Sequence, residues 1–177
     1  TIGANITGSF VQNTDAAATT IVDGVANVSG GLDIDTGTLT VSAALTGDVD
    51  VAAGASYDQN NGLTGNLISS GTTTLAGNVS GTVAQSAGSV TVDGASTLTG
   101  AVTISGGSFT ASAQTTLGAG LSNDGTLDIN AAVLGGQTLT NTKAATIGAN
   151  ITGSFVQNTD AAATTTVDGV ANVSGGL

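Results

Sequence analysis

Residues 89–107, SVTVDGASTLTGAVTISGG, decide the reading. Val90 and Val92 alternate with Ser and Thr, as do Val102 and Ile104, and a period of two is the mark of a strand with one face buried. Val90, Val92, Leu98, Val102 and Ile104 are expected to point inward, and Thr91, Thr99, Thr103 and Ser105 outward. The DG at 93–94 and the GG at 106–107 supply corners, because Gly tolerates backbone angles that other residues avoid.

The same cassette recurs along the chain. An apolar residue, Thr or Ser, Gly, a variable residue and a second apolar residue read ITGSF at Ile6, VSGGL at Val28, LTGDV at Leu45, LTGNL at Leu63, VSGTV at Val79 and LTGAV at Leu98. The series continues as LGAGL at Leu117, a degenerate LGGQT at Leu134, ITGSF at Ile151 and VSGGL at Val173. Eight steps separate Ile6 from Ile151, and the longest of them runs from Ile6 to Val28. A second alternation precedes each cassette, as in TLTV at 38–41, SFTA at 108–111 and TLDI at 126–129. Segments averaging about 18 residues suit one turn of a solenoid whose coils stack about 4.8 Å apart. The expected fold is therefore all-β, a parallel β-solenoid. An antiparallel sandwich is the competing arrangement, and it lacks the Trp and Cys such sandwiches often use.

A longer repeat lies over the short one. Residues 1–32 return at 146–177 with a single change, Ile21 to Thr166, an offset of 145 residues. The expected organisation is one eight-coil unit over 1–145 and the start of the next over 146–177, continuous and without a linker.

Composition agrees. The chain has 28 Gly, no Pro, Cys, Met, Trp or His, one Tyr and three Phe. Its core must therefore be thin and filled by Ala, Val, Leu and Ile. Absence of Pro suits strands whose N–H groups all serve a neighbour. All 12 acidic residues are Asp, Lys143 is the only basic one, and the net charge is −11, which excludes phosphate binding and hence nucleic acid. No apolar run approaches the ~18 residues of a membrane span, and no signal segment is visible, so the chain reads as an internal or processed stretch of a longer precursor.

The LTGxVxV and [ST]xTV patterns with GG and DG corners resemble the passenger repeats of autotransporters and filamentous-haemagglutinin-type adhesins. The resemblance implies a right-handed parallel β-helix, exported to the bacterial surface and acting in adhesion or biofilm structure. The near-perfect 145-residue repeat departs from those families and is more like a repetitive surface fibre. The partners it implies are the chain itself, by axial stacking and lateral contact, and surface carbohydrate or other cells. An adhesin stalk with its binding tip elsewhere is the alternative.

Residues able to do chemistry are scarce. With no His, Cys, Glu or Arg, a serine nucleophile has only Lys143 as a nitrogen base, and a solvated surface lysine is the simpler account. No catalytic residue and no cofactor are expected. β-Helical polysaccharide enzymes would need Asp pairs such as Asp33 with Asp35 or Asp48 with Asp50. Those four carboxylates, on adjacent coils, are also the candidate for a calcium ion. Thr38 with Thr40 and Thr72 with Thr74 have the spacing of an ice-binding ladder, which Ser56 with Asp58 and Ser108 with Thr110 interrupt. Asn5, Asn27, Asn78, Asn150 and Asn172 open glycan-acceptor triplets, and bonding from coil to coil is the simpler role for them. The long steps that start at Ile6 and Ile151 carry an extra QNTDAAATT segment, expected to bulge outward and mark a lateral contact or ligand site.

Overall fold

The computed structural model describes residues 1–13, 15–157, 163–168 and 172–176. The chain is a parallel β-solenoid of about nine turns with about 18 residues per turn, and the described residues contain no helix. Every pair of named strands is parallel and joins one coil to the next, which removes the antiparallel sandwich.

Each coil has three sides. The broadest is a nine-stranded sheet of four-residue strands running from Thr19–Val22 to Thr164–Val167. In register along it lie, for example, Leu39, Tyr57, Thr73, Val90, Phe109 and Leu127. These second positions, with the fourth ones, face the interior. First and third positions, mostly Thr and Ser, face out, as the period of two requires. The second side is built of three-residue strands such as Leu32–Ile34, Val49–Val51 and Val102–Ile104, whose first and third residues face in. Short corner strands such as Leu45–Thr46 and Leu63–Thr64 close the coil.

Val90, Val92, Leu98, Val102 and Ile104 are all buried, each at most 1% exposed, and Thr99, Thr103 and Ser105 are exposed. Each buried Val or Leu contributes about 1.5–3 kcal/mol. Each coil packs its interior against itself and against the coils above and below, so the core is a continuous column rather than a globule.

Two cassettes sit differently from the sequence expectation. Ala26, not Val28, pairs with Ile6 below and Leu45 above, because the corner between Ala26 and Leu32 is longer than its neighbours. Val28 is nevertheless fully buried inside that longer corner. In the degenerate cassette Val133 faces in and pairs with Thr115 and Ile151, while Leu134 is only partly buried. There the strand Val133–Asn141 runs round the corner with a register shift between Val133 and Gln137.

The cassette glycines answer to a different need than turn geometry alone. A Cβ on Gly65 would lie 2.1 Å from the carbonyl oxygen of Gly47, one on Gly81 2.3 Å from that of Gly65, and one on Gly100 2.4 Å from that of Gly81. Backbone rests on backbone at this corner, and only hydrogen fits between successive coils.

Candidate functional site

The second side carries the most distinctive exposed feature. Its middle residues point outward, and the parallel register stacks Val11, Asp33, Asp50 and Ile68 in that order on four successive coils. Two carboxylates thus abut between two exposed aliphatic side chains, in an open groove of about 420 Å3 bordered by Gly30, Gly31 and Asp48. Partial desolvation, then the negative charges of Asp35 and Asp50, push the Asp33 carboxyl pKa up from its ordinary value.

Because folding raises this pKa, the folded chain holds the Asp33 proton more readily than the unfolded chain. The group therefore stabilises the fold increasingly as pH falls through its folded value, with the full gain below the unfolded one. Asp50→Asn is expected to move the Asp33 carboxyl titration, followed by carbon-detected NMR, downward toward the ordinary range. An unmoved curve would show that the two carboxylates do not interact.

The four-carboxylate arrangement is not assembled. Asp48 accepts hydrogen bonds from the Asn66 backbone N–H at 2.8 Å and from Asn66 Nδ2 at 3.1 Å. Among the described residues no group of three or more acidic side chains is placed to hold a metal ion. Asn66 Oδ1 in turn accepts from the Thr82 N–H at 2.9 Å and Thr82 Oγ1 at 3.0 Å, so Asp48, Asn66 and Thr82 form an outer ladder across three coils.

Coil-to-coil bonding by an asparagine side chain is present at two of the five expected positions, Asn78 and Asn150, and elsewhere too. Asn78 Oδ1 accepts from the Thr97 N–H at 2.7 Å, and Asn150 Oδ1 from the Asn172 N–H at 3.0 Å. Asn5 and Asn27 are exposed. The strongest such ladder was not legible in advance, because its members occupy inward positions reserved by pattern for apolar side chains. Asn123 Nδ2 donates to Asn141 Oδ1 at 2.5 Å, and Asn141 Nδ2 donates to Gln157 Oε1 at 2.9 Å and to the Lys143 carbonyl at 2.7 Å. Asn123 and Asn141 are fully buried. The one available clue was the repeated polar third residue in LSN at 121–123 and LTN at 139–141.

Lys143 lies 3.8 Å from Asp124, with both side chains about half exposed, which is the geometry of a weak surface pair. Tyr57 is buried, its hydroxyl donating to Gln59 Oε1, and burial followed by the Asp58 charge pushes its pKa far up. Neither environment activates a nucleophile.

On the broad side, Thr38 and Thr40 do stack with Ser56 and Asp58, then with Thr72 and Thr74. The hydroxyl rows are real, and Asp58 and Asp128 interrupt them. The extra segment after Gln12 folds as an exposed turn at Asp15–Ala18, where the Ala18 N–H donates to the Asp15 carbonyl at 2.8 Å. Thr14 and the core of the second copy of this segment, 158–162, lie outside the described residues.

No family model, curated protein or solved structure matches this chain. Its function must be argued from its own geometry.

Proposed function

We propose that the chain is a section of a repetitive structural fibre on the cell exterior, built by 145-residue units following one another in a single stack, and that it is not an enzyme. The observation that carries this reading is the pairing across residue 145. Val133 pairs with Ile151, Leu139 with Phe155 and Asn141 with Gln157, and Ala144–Ile147 pairs with Thr164–Val167. The first coil of the second unit thus sits on the last coil of the first as coils sit on each other within the unit. A solenoid extended in this way gains stability through nearest-neighbour interfaces and grows in one dimension, which is the mechanics of a rod. An exterior location and roles in scaffolding, adhesion or biofilm rest on the sequence resemblance. The negative, polar skin supports them by opposing lateral clumping.

Polypeptides of one, two and three units test the reading. Each added unit, eight coils at about 4.8 Å, is expected to lengthen the particle seen by small-angle scattering by about 38 Å. The melting temperature should also rise with unit number. Units that behave as independently melting beads would overturn it. A long single chain and a polymer of short ones differ by chain breaks along the fibre, visible in images of the native assembly.

A further inference from the structure

Asn61 and Gly62 form the one asparagine–glycine step in the chain, at a corner between the broad-side strand Ser56–Gln59 and the corner strand Leu63–Thr64. Asn61 is exposed, and the Gly62 N–H donates to its side-chain Oδ1 at 2.8 Å. With a C=O bond of about 1.23 Å, the Gly62 nitrogen therefore stands no more than about 4 Å from Asn61 Cγ. Bond formation starts from separations of about 3–3.5 Å, so the two atoms are held close to reacting distance. Glycine has no side chain to shield that nitrogen.

The stack fixes this geometry from the other side of the peptide. The Gly62 carbonyl accepts from the Leu45 N–H at 2.9 Å and from Nε2 of the buried Gln59 at 3.4 Å. Glycine is thus pinned by its oxygen while its N–H turns to the preceding side chain. Other asparagines are placed differently. Asn66, Asn78 and Asn150 each precede a residue whose N–H is committed to the next coil: Leu67 donates to the Thr82 carbonyl at 2.8 Å, Val79 to that of Thr97 at 2.9 Å and Ile151 to that of Asn172 at 2.9 Å. At the Asp–Gly corners, Gly24 and Gly94 direct their N–H groups at the Ile2 and Leu75 carbonyls of the coil before, both at 3.4 Å.

We propose that Asn61 is a site of spontaneous covalent modification in the folded chain, its amide exchanged for a carboxylate through attack by the Gly62 nitrogen. That nitrogen gives its proton to water or hydroxide and bonds to Asn61 Cγ. The Cγ–Nδ2 bond breaks, and ammonia leaves with a proton taken from water. Water then opens the cyclic imide at one of its two carbonyls. Opening at Cγ restores the peptide and leaves an aspartate at position 61. Opening at the main-chain carbonyl breaks the original peptide bond and routes the chain through the side chain, one methylene longer. Nothing is oxidised or reduced, and amide plus water becomes carboxylate plus ammonium.

Either product adds a negative charge to a chain already at −11. The rerouted product also disturbs the stack, because a Cβ on Gly77 in the next coil would already stand 2.0 Å from the Asn61 carbonyl oxygen. The corner thereby converts elapsed time into charge and loosened packing. The reaction needs only one folded chain, so it stands or falls apart from the fibre reading.

The test incubates the full chain in mildly alkaline buffer, cuts it with a protease that cleaves before aspartate, and follows the fragment beginning at Asp58 by mass spectrometry. Conversion at Asn61 is expected to outpace that at Asn60, Asn66 and Asn78 by at least about tenfold. Gly62→Ala is the decisive variant. Its Cβ would meet nothing nearer than the Asn78 carbonyl oxygen at 3.8 Å, so the coil keeps its fold, checked by circular dichroism, while the shielded nitrogen reacts at least about tenfold more slowly. Of the products separated by ion exchange, the rerouted chain is expected to melt below the parent. Conversion at Asn61 no faster than at its neighbours, or a folded Gly62→Ala chain reacting as fast as the parent, would overturn the proposal. Rapid reaction of the isolated peptide 58–66 with none in the folded chain would overturn it too, since the coil would then be holding the nitrogen away from Cγ.

Discussion

Gly88→Val is expected to cost about 4 kcal/mol or more, from a left-handed backbone forced on a β-branched residue together with overpacking against the next coil. Gly88 has φ +64°, and a Cβ there would stand 2.0 Å from the Gly71 carbonyl oxygen. That oxygen is not free to move, because it accepts the ladder hydrogen bond from the Ser89 N–H at 3.0 Å. The contact is one of a column, since a Cβ on Gly107 would meet the Gly88 oxygen at 2.4 Å and one on Gly125 the Gly107 oxygen at 2.5 Å. For a chain of this size the loss corresponds to a fall in melting temperature of roughly 10 °C, read by circular dichroism. Gly54 separates the two causes. Its φ is +86°, yet nothing lies within 4 Å of its Cβ position, so Gly54→Val carries conformational strain alone, about 1–3 kcal/mol. Equal losses at the two sites would mean that close coil stacking contributes nothing.

A second large effect is expected in the buried amide ladder. Asn141→Asp should destabilise the fold by about 3–5 kcal/mol at pH 7, the range for an uncompensated buried charge. Asn141 directs its amide N–H groups at the Lys143 carbonyl and at Gln157 Oε1. A carboxylate in its place would turn an acceptor toward two acceptors, with only Asn123 Nδ2 left as donor. Burial and these oxygens raise the folded-state pKa of the new group above its unfolded value of about 3.9. The penalty is therefore absent below the unfolded pKa, where both states are protonated, and grows as pH rises toward the folded one. Melting curves of variant and parent should converge in acid and separate toward neutrality. Asn141→Leu is the companion. It removes a donor and an acceptor together and leaves Asn123 bonded to the Gly125 carbonyl at 2.9 Å, so its smaller loss should not depend on pH. An aspartate variant as stable as the parent at pH 7 would show that water reaches the ladder.

The exposed candidate features were readable in part. Asp33 and Asp50 were found from alternation, which places both on the outside of adjacent coils, and the structure stacks them directly. Asp48 is exposed at the border of the same groove, as the pattern requires, but its carboxylate accepts two hydrogen bonds from Asn66. A period-two rule assigns a side, not a partner.

The sequence by itself determined that this chain forms coils of about 18 residues, that Val90, Val92, Leu98, Val102 and Ile104 face one interior, and that a unit repeats after 145 residues. Those properties are local and periodic, and side-chain alternation carries them directly. Only the tertiary structure decided the register at the two longer corners, where Ala26 and Val133 took the places expected for Val28 and Leu134. It alone also decided that Asn123, Asn141 and Gln157 form an interior ladder and that the corner glycines are held by backbone contact. Each depends on which residue of the next coil arrives at a given height. That is a balance between strand pairing and corner length summed over neighbouring coils, and no single segment contains it.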